Sequence, residues 1–129
     1  MFLVIASAAA TIILGAVWYH PKIFGRLWMR STNISPEMVE NGERRRHLYN
    51  VAALLASLGV GGTMRYLEIA THVSGPIDAL ELGALLWSGL ALPLLFGQLL
   101  WEQKPVRLLV VNAGYWLFAF MTSALIVSY

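Results

Sequence analysis

The sequence contains no cysteine. Disulfides, thiolate metal sites and cysteine nucleophiles are therefore excluded together. Charged residues make up only 12% of the chain, about half the share with which a soluble domain covers its surface. Histidine is scarce: His20, His47 and His72 sit too far apart, and at opposite ends of the apolar runs, to suggest a metal centre. No glycine-rich phosphate loop, nucleophile elbow or paired carboxylates are present. No cofactor and no metal are expected. The net charge of +2 and the isoelectric point near 9.2 arise from one loop rather than a basic face, so nucleic acid is not an expected partner.

What the chain has instead is apolar length. Hydrophobic residues are 58% of the total and mean hydropathy is +0.65. They concentrate in four runs, at 2–20, 48–70, 79–101 and 108–128, each about the 20 residues that a helix needs to cross a bilayer. The expected fold is all-α, an integral membrane four-transmembrane-helix bundle, with one transmembrane domain over residues 1–129. The first run lacks the basic start and small-residue cleavage site of a secretory signal, so it is expected to stay as the first span.

Lysine and arginine set the orientation. Lys22, Arg26, Arg30, Arg44, Arg45 and Arg46 fall between runs one and two, and Lys104 and Arg107 between runs three and four. The connection "THVSGPID" carries none. Basic loops stay on the cytoplasmic side, which predicts a multi-pass inner-membrane protein, N-out/C-out, with a cytoplasmic loop at 21–47. In that loop Pro21 is expected to kink the first helix. "SPEMVE" reads as a short helix with Ser35 as N-cap and Pro36 at its first position, broken by Asn41-Gly42. "SGP" at 74–76 suggests a tight hairpin. A thin echo links "PKIFGRL" at 21–27 to "PLLFGQL" at 93–99.

At 100° per residue the second run carries one stripe: Asn50, Ala53, Ser57, Gly61, Arg65, Glu68 and His72. The first run offers Ser7, Thr11, Gly15 and Tyr19; the third Ala84, Trp87, Ala91 and Gln98; the fourth Asn112, Tyr115, Trp116, Ala119 and Ser123. Small residues every fourth position let helices approach closely in lipid, so these stripes are expected to face inward. Depth then separates two polar layers. His20, Asn50, Gln98, Asn112 and Tyr115 lie near the basic end and form a candidate pocket, although amides and phenols at this depth equally serve to hold helices together. Arg65, Glu68, Asp78 and Glu81 lie at the other end and are expected to form an ion-pair cluster with a snorkelling arginine. Trp18, Tyr19, Trp28 and Trp101 read as an interfacial aromatic belt, with His20 an anchor among them.

Three patches, "LGAVWYHPKIFGRLWM", "GLALPLLFGQLLWEQKP" and "LLVVNAGYWL", resemble domain-of-unknown-function family 1761, a family of small bacterial membrane proteins. The most specific are Trp18-Tyr19-x-Pro21 with Phe24-Gly25, and Asn112–Tyr115. The resemblance implies four spans in a bacterial cytoplasmic membrane and supplies no activity. Members often carry histidine after that tyrosine, where this chain has Trp116. The expected function is a non-enzymatic subunit, homo-oligomeric or accessory to another membrane protein, with membrane lipids as partners and a lipid or small amphiphile in the pocket. The alternatives are a small transporter or channel, or an enzyme on a membrane-dissolved substrate using His20 and Tyr115. A nearly apolar midplane opposes a continuous ion path.

Overall fold

Proline marks where the helices of this chain begin and bend. In the computed structural model, which describes residues 1–129, every regular element is helical. Helix α1 spans Phe2–Trp18, and a π-helical turn over Pro21–Gly25 leads into α2, Arg26–Thr32. Helix α3 is Pro36–Arg44 and α4 is Arg46–Ala70. Helix α5, Pro76–Leu86, continues through a second π-helical turn, Trp87–Ala91, into α6, Leu92–Leu100. Helix α7, Val106–Val127, closes the chain.

Local chemistry accounts for these boundaries. The His20 carbonyl accepts from both Ile23 and Gly25 N–H, and Pro21, with no N–H to place, opens that wide turn. The kink expected at Pro21 is a bend of 44° between α1 and the helical segment Pro21–Thr32. The second π-helical turn ends just before Pro93, where the missing N–H and the ring would otherwise break the ladder. It is displaced from the "PLLFGQL" echo, so the two π-helical turns are not aligned by it. Ser35 Oγ accepts from Met38 N–H at 3.2 Å, capping α3 as the sequence suggests. Asn41-Gly42 does not end that helix, which runs on to Arg44. A 2.7 Å ion pair from Arg44 to Glu40 spans the weak dipeptide, the i,i+4 spacing at which such pairs support a helix. The segment 21–47, expected as the connection between the first two spans with short helical stretches, is mostly helix.

Helix α7 is the shared element. Helix α1 packs on α4 and on α7, α5 and α6 cover another side of α7, and α4 barely touches α5. Ser7 and Ser123 bring α1 and α7 together through a 2.7 Å hydrogen bond between their hydroxyls. The indole of Trp18 donates to the Val111 carbonyl at 3.0 Å, and that of Trp87 to the Ala113 carbonyl at 2.8 Å. Trp18 is thus a packing residue rather than a member of the aromatic belt, whereas Trp101 is 86% exposed.

Only 17 of 129 residues are buried, and Ile13, Leu55, Leu85, Leu94 and Phe118 point outward. So large an exposed apolar surface needs an apolar surround. Two helical stretches, Pro76–Leu100 and Val106–Val127, are long and apolar enough to cross a membrane, and the bent pair α1 with Pro21–Thr32 would be a third. Helix α4 has 25 residues but is not among them. Arg46, His47 and Asn50 near its start, and Arg65 and Glu68 near its end, dilute its apolar run.

Gly114 is where α7 depends on lacking a side chain. A Cβ there would lie 2.8 Å from Trp18 Cζ2, and the indole is held by its bond to Val111. Gly114→Ala should destabilise the fold by about 1–3 kcal/mol, the range for overpacking, whereas Gly42→Ala, with open space around it, should not. Denaturant titration of both variants in detergent micelles checks this.

Candidate functional site

Four side chains from two helices form a polar seam near the basic end. Tyr19, just past the end of α1, donates its phenol proton to Asn112 Oδ1 at 2.8 Å. Its ring lies 5.4 Å from that of Tyr115, centroid to centroid, and meets Trp28 edge-on at 5.9 Å. Tyr115 reaches back to the Thr11 carbonyl at 3.4 Å, a long bond by ordinary standards. Thr11 directs its own hydroxyl to the carbonyls of Ser7 and Ala8. Helical periodicity builds the seam: Thr11, Gly15 and Tyr19 stack on one face of α1, Asn112 and Tyr115 on one face of α7. A Cβ at Gly15 would only just fit against Tyr115, at 3.4 Å.

Beside this seam lies a crevice of about 360 Å³ between α1, α4 and α7. Thr11, Gly15, Ala16 and Tyr19 line it on one side, Ala53, Ala56, Ser57 and Val60 on the second, Tyr115, Trp116 and Ala119 on the third. Tyr19 and Ala53 also border a wider recess of about 770 Å³ with Gly25, Trp28, Met29, Tyr49 and Asn50. Crevice and recess therefore meet at the Tyr19–Ala53 neck, toward the basic end. Away from it, the layer beyond the crevice is tightly closed. Ser7 bonds Ser123, and a Cβ at Gly61 would lie 3.1 Å from Ser7 Oγ and 3.3 Å from the Val4 carbonyl. That contact closes the space on the side of α1 alone: along α4 a further apolar groove of about 370 Å³ shares Ala56 and Val60 with the crevice and runs on past Thr63, Met64 and Leu67 toward α5.

The candidate residues from the sequence are distributed as follows. Asn112 and Tyr115 come together through Tyr19. Asn50 borders the recess. Gln98 instead faces Lys104, Pro105 and Leu108 in a small cleft between α6 and α7. His20 is exposed, with Nδ1 accepting from the Lys22 N–H at 3.2 Å, where it caps the π-helical turn. Of the five residues expected in this layer, Asn112 and Tyr115 are thus joined by Tyr19, which the sequence places both on the inner stripe of the first run and in the aromatic belt. Thr11 and Trp116 were on the expected inner stripes. Their place in the crevice wall follows from the packing of three helices, which no single stripe encodes.

The opposite end departs from the expected ion-pair cluster. Arg65 Nη1 donates to the Val127 carbonyl at 2.7 Å, one of the last-turn carbonyls of α7 that have no partner within the helix. Asp78 accepts from the backbone and hydroxyl of Ser74, and Glu81 is exposed. Glu68 is only 4% exposed, and neither carboxyl oxygen has a hydrogen-bond partner. The only salt bridges are the surface pairs Arg44–Glu40 and Arg46–Glu43. No three His, Asp or Glu side chains group in a metal-binding arrangement.

These features define the class: a small all-helical protein with apolar helices able to cross a membrane. Residues 2–128 match the family model described as "Protein of unknown function (DUF1761)". The chain belongs to that family. No curated protein and no solved structure matches it.

Two sets of variants test this geometry. A double-mutant cycle of Tyr19→Phe and Asn112→Leu should show a coupling of about 1 kcal/mol, read from unfolding in micelles; additive effects would mean that the bond does not hold the helices. Glu68→Leu should leave stability unchanged or raise it, because replacing a buried ionisable group with no partner removes a cost without removing a contact. A melting temperature clearly below wild type would show that Glu68 has a partner.

Proposed function

We propose that this chain is a non-enzymatic integral membrane protein that holds a lipid or small amphiphile between α1, α4 and α7, as an oligomeric or accessory subunit. It spans a bacterial cytoplasmic membrane four times, with α4 and the bent α1–α2 segment as the less regular spans. Residues 21–47 and 102–107, with eight of the nine Lys and Arg, face the cytoplasm, and both termini lie outside.

The single observation that carries this reading is the crevice between α1, α4 and α7. Its wall is mostly apolar, with hydroxyl and phenol groups contributed by Thr11, Ser57, Tyr19 and Tyr115. Ligand sites share that character, an apolar lining with a few placed polar groups. The sealed layer at Ser7, Gly61 and Ser123 weighs against a transport path. The lining contains no carboxylate, histidine or lysine, so acid–base chemistry on a guest would have only phenols to work with.

Native mass spectrometry of the detergent-purified protein, with lipidomics of the released material, tests the proposal. An amphiphile bound in fixed stoichiometry is expected. Ala56→Leu, which fills the crevice, should remove it while the protein stays folded. Identical bound material in wild type and Ala56→Leu would contradict the proposal.

A further inference from the structure

We propose that the guest is a single-chain amphiphile with an anionic headgroup, its chain in the crevice and its headgroup in the recess against Arg46 and Asn50; this rests on the guest-holding function above. Four observations lead there. The inner crevice has no charged group in its wall, which suits a hydrocarbon chain and no charge. At about 360 Å³ it lies at the small end of ordinary ligand sites, roughly 300–1,000 Å³, and it is continued along α4 by an apolar groove past Thr63, Met64 and Leu67, a long narrow course. One chain fits that shape better than two.

The recess is different in kind. It is bordered by the Asn50 amide, the Tyr49 phenol and the Trp28 indole, and it joins the crevice at Tyr19 and Ala53. Arg46 precedes Tyr49 by three residues and Asn50 by four on α4, so it rises on the same face, one turn toward the mouth. Its side chain is 70% exposed and held only in a loose surface ion pair with Glu43 at 3.6 Å, a kind of pair that solvent screening leaves weak. A phosphate or carboxylate that offers the guanidinium a two-pronged bond would compete with it.

Charge across the molecule points the same way. Residues 21–47 carry six cations, Lys22, Arg26, Arg30 and Arg44–Arg46, against three glutamates. The opposite end carries Glu68, Asp78 and Glu81 against Arg65 alone. The field along the bundle thus draws an anionic head to the basic end and repels it from the acidic one. Chain and head are sorted by the same axis.

The test uses the full-length protein in nanodiscs of phosphatidylcholine, a neutral surround. Equilibrium binding is measured for oleyl phosphate, oleyl alcohol and oleylamine, which share a chain and differ in charge. Oleyl phosphate should bind roughly fivefold to tenfold tighter than the alcohol, with the amine weakest. Arg46→Gln, a change at an exposed side chain, should bring oleyl phosphate down to the affinity of the alcohol and leave the alcohol unaffected, which also reports that the fold is intact. Equal binding of phosphate and alcohol by the wild type, or no effect of Arg46→Gln, overturns the anionic headgroup while leaving the guest-holding function standing. Tighter binding of dioleoyl phosphatidate than of oleyl phosphate overturns the single chain. If no ligand binds the wild type and Ala56→Leu behaves like it, the guest-holding function itself fails.

Discussion

Two indole N–H groups end on carbonyls of α7 that are two residues apart, Val111 from Trp18 and Ala113 from Trp87. The rest of the architecture hangs on this pair. Trp18 belongs to the first half of the chain and Trp87 to the second, so α7 is clasped from both sides at one depth. Each indole proton needs an acceptor, and in an apolar surround only helix carbonyls are on offer. Gly114 follows the second of these residues and gives the Trp18 ring its room. With α7 fixed, the phenol of Tyr19 reaches Asn112 one residue past the Trp18 contact, and Tyr115 turns toward Thr11.

The crevice follows from how α1 and α4 sit against that clasp. At the acidic end α1, α4 and α7 close on small residues, Ser7, Gly61 and Ser123, none of which holds the helices apart. At the basic end Tyr19, Tyr115 and Trp28 are large, and they prop the same helices open. Ala53 and Ala56 on α4 do not fill the gap. Between α1 and the other two helices the space therefore narrows toward Ser7 and widens toward Tyr19, while along α4 it runs on into the groove at Thr63, Met64 and Leu67. The wide end is also the basic one, because the segment that supplies Trp28 supplies the arginines beside it.

Much of this was legible in the sequence, for reasons of periodicity. On the second run's stripe Gly61, Arg65 and Glu68 do turn inward and Ala53 and Ser57 line the crevice, while Asn50 and His72 at its ends are exposed; Ser7, Thr11, Gly15 and Tyr19 do face α7, because a helix repeats every 3.6 residues whatever surrounds it. The family was legible too, from Trp18–Gly25 and Asn112–Tyr115. Partners were not. Tyr19 finds Asn112 across 93 positions, and composition at the end of an apolar run made it look like one more interfacial aromatic. Arg65 was expected to seek an acid, yet a helix end with unpaired carbonyls lies beside it. That alternative could have been found by asking where the last carbonyls of the fourth run go. Gln98 does turn toward α7, but in a cleft between α6 and α7 away from the crevice, because neither helical period nor depth says which side of α7 a residue meets. Gly42 was read as a breaker without weighing the Glu40–Arg44 pair that spans it.

The crevice between α1, α4 and α7 is open at Ala53 and closed at Ser7, where α1 meets α4 and α7. Because the chain has no cysteine, single cysteines report on it cleanly. Ala53→Cys sits at the neck and Ser7→Cys in the sealed layer, the latter replacing a residue with no exposed surface. A small methanethiosulfonate reagent applied separately to each side of oriented vesicles gives the answer. The expected result is that Ala53→Cys reacts from the cytoplasmic side alone and Ser7→Cys from neither. Reaction of both positions from both sides would mean a through-path in place of a crevice closed at Ser7, and would contradict the account at its root.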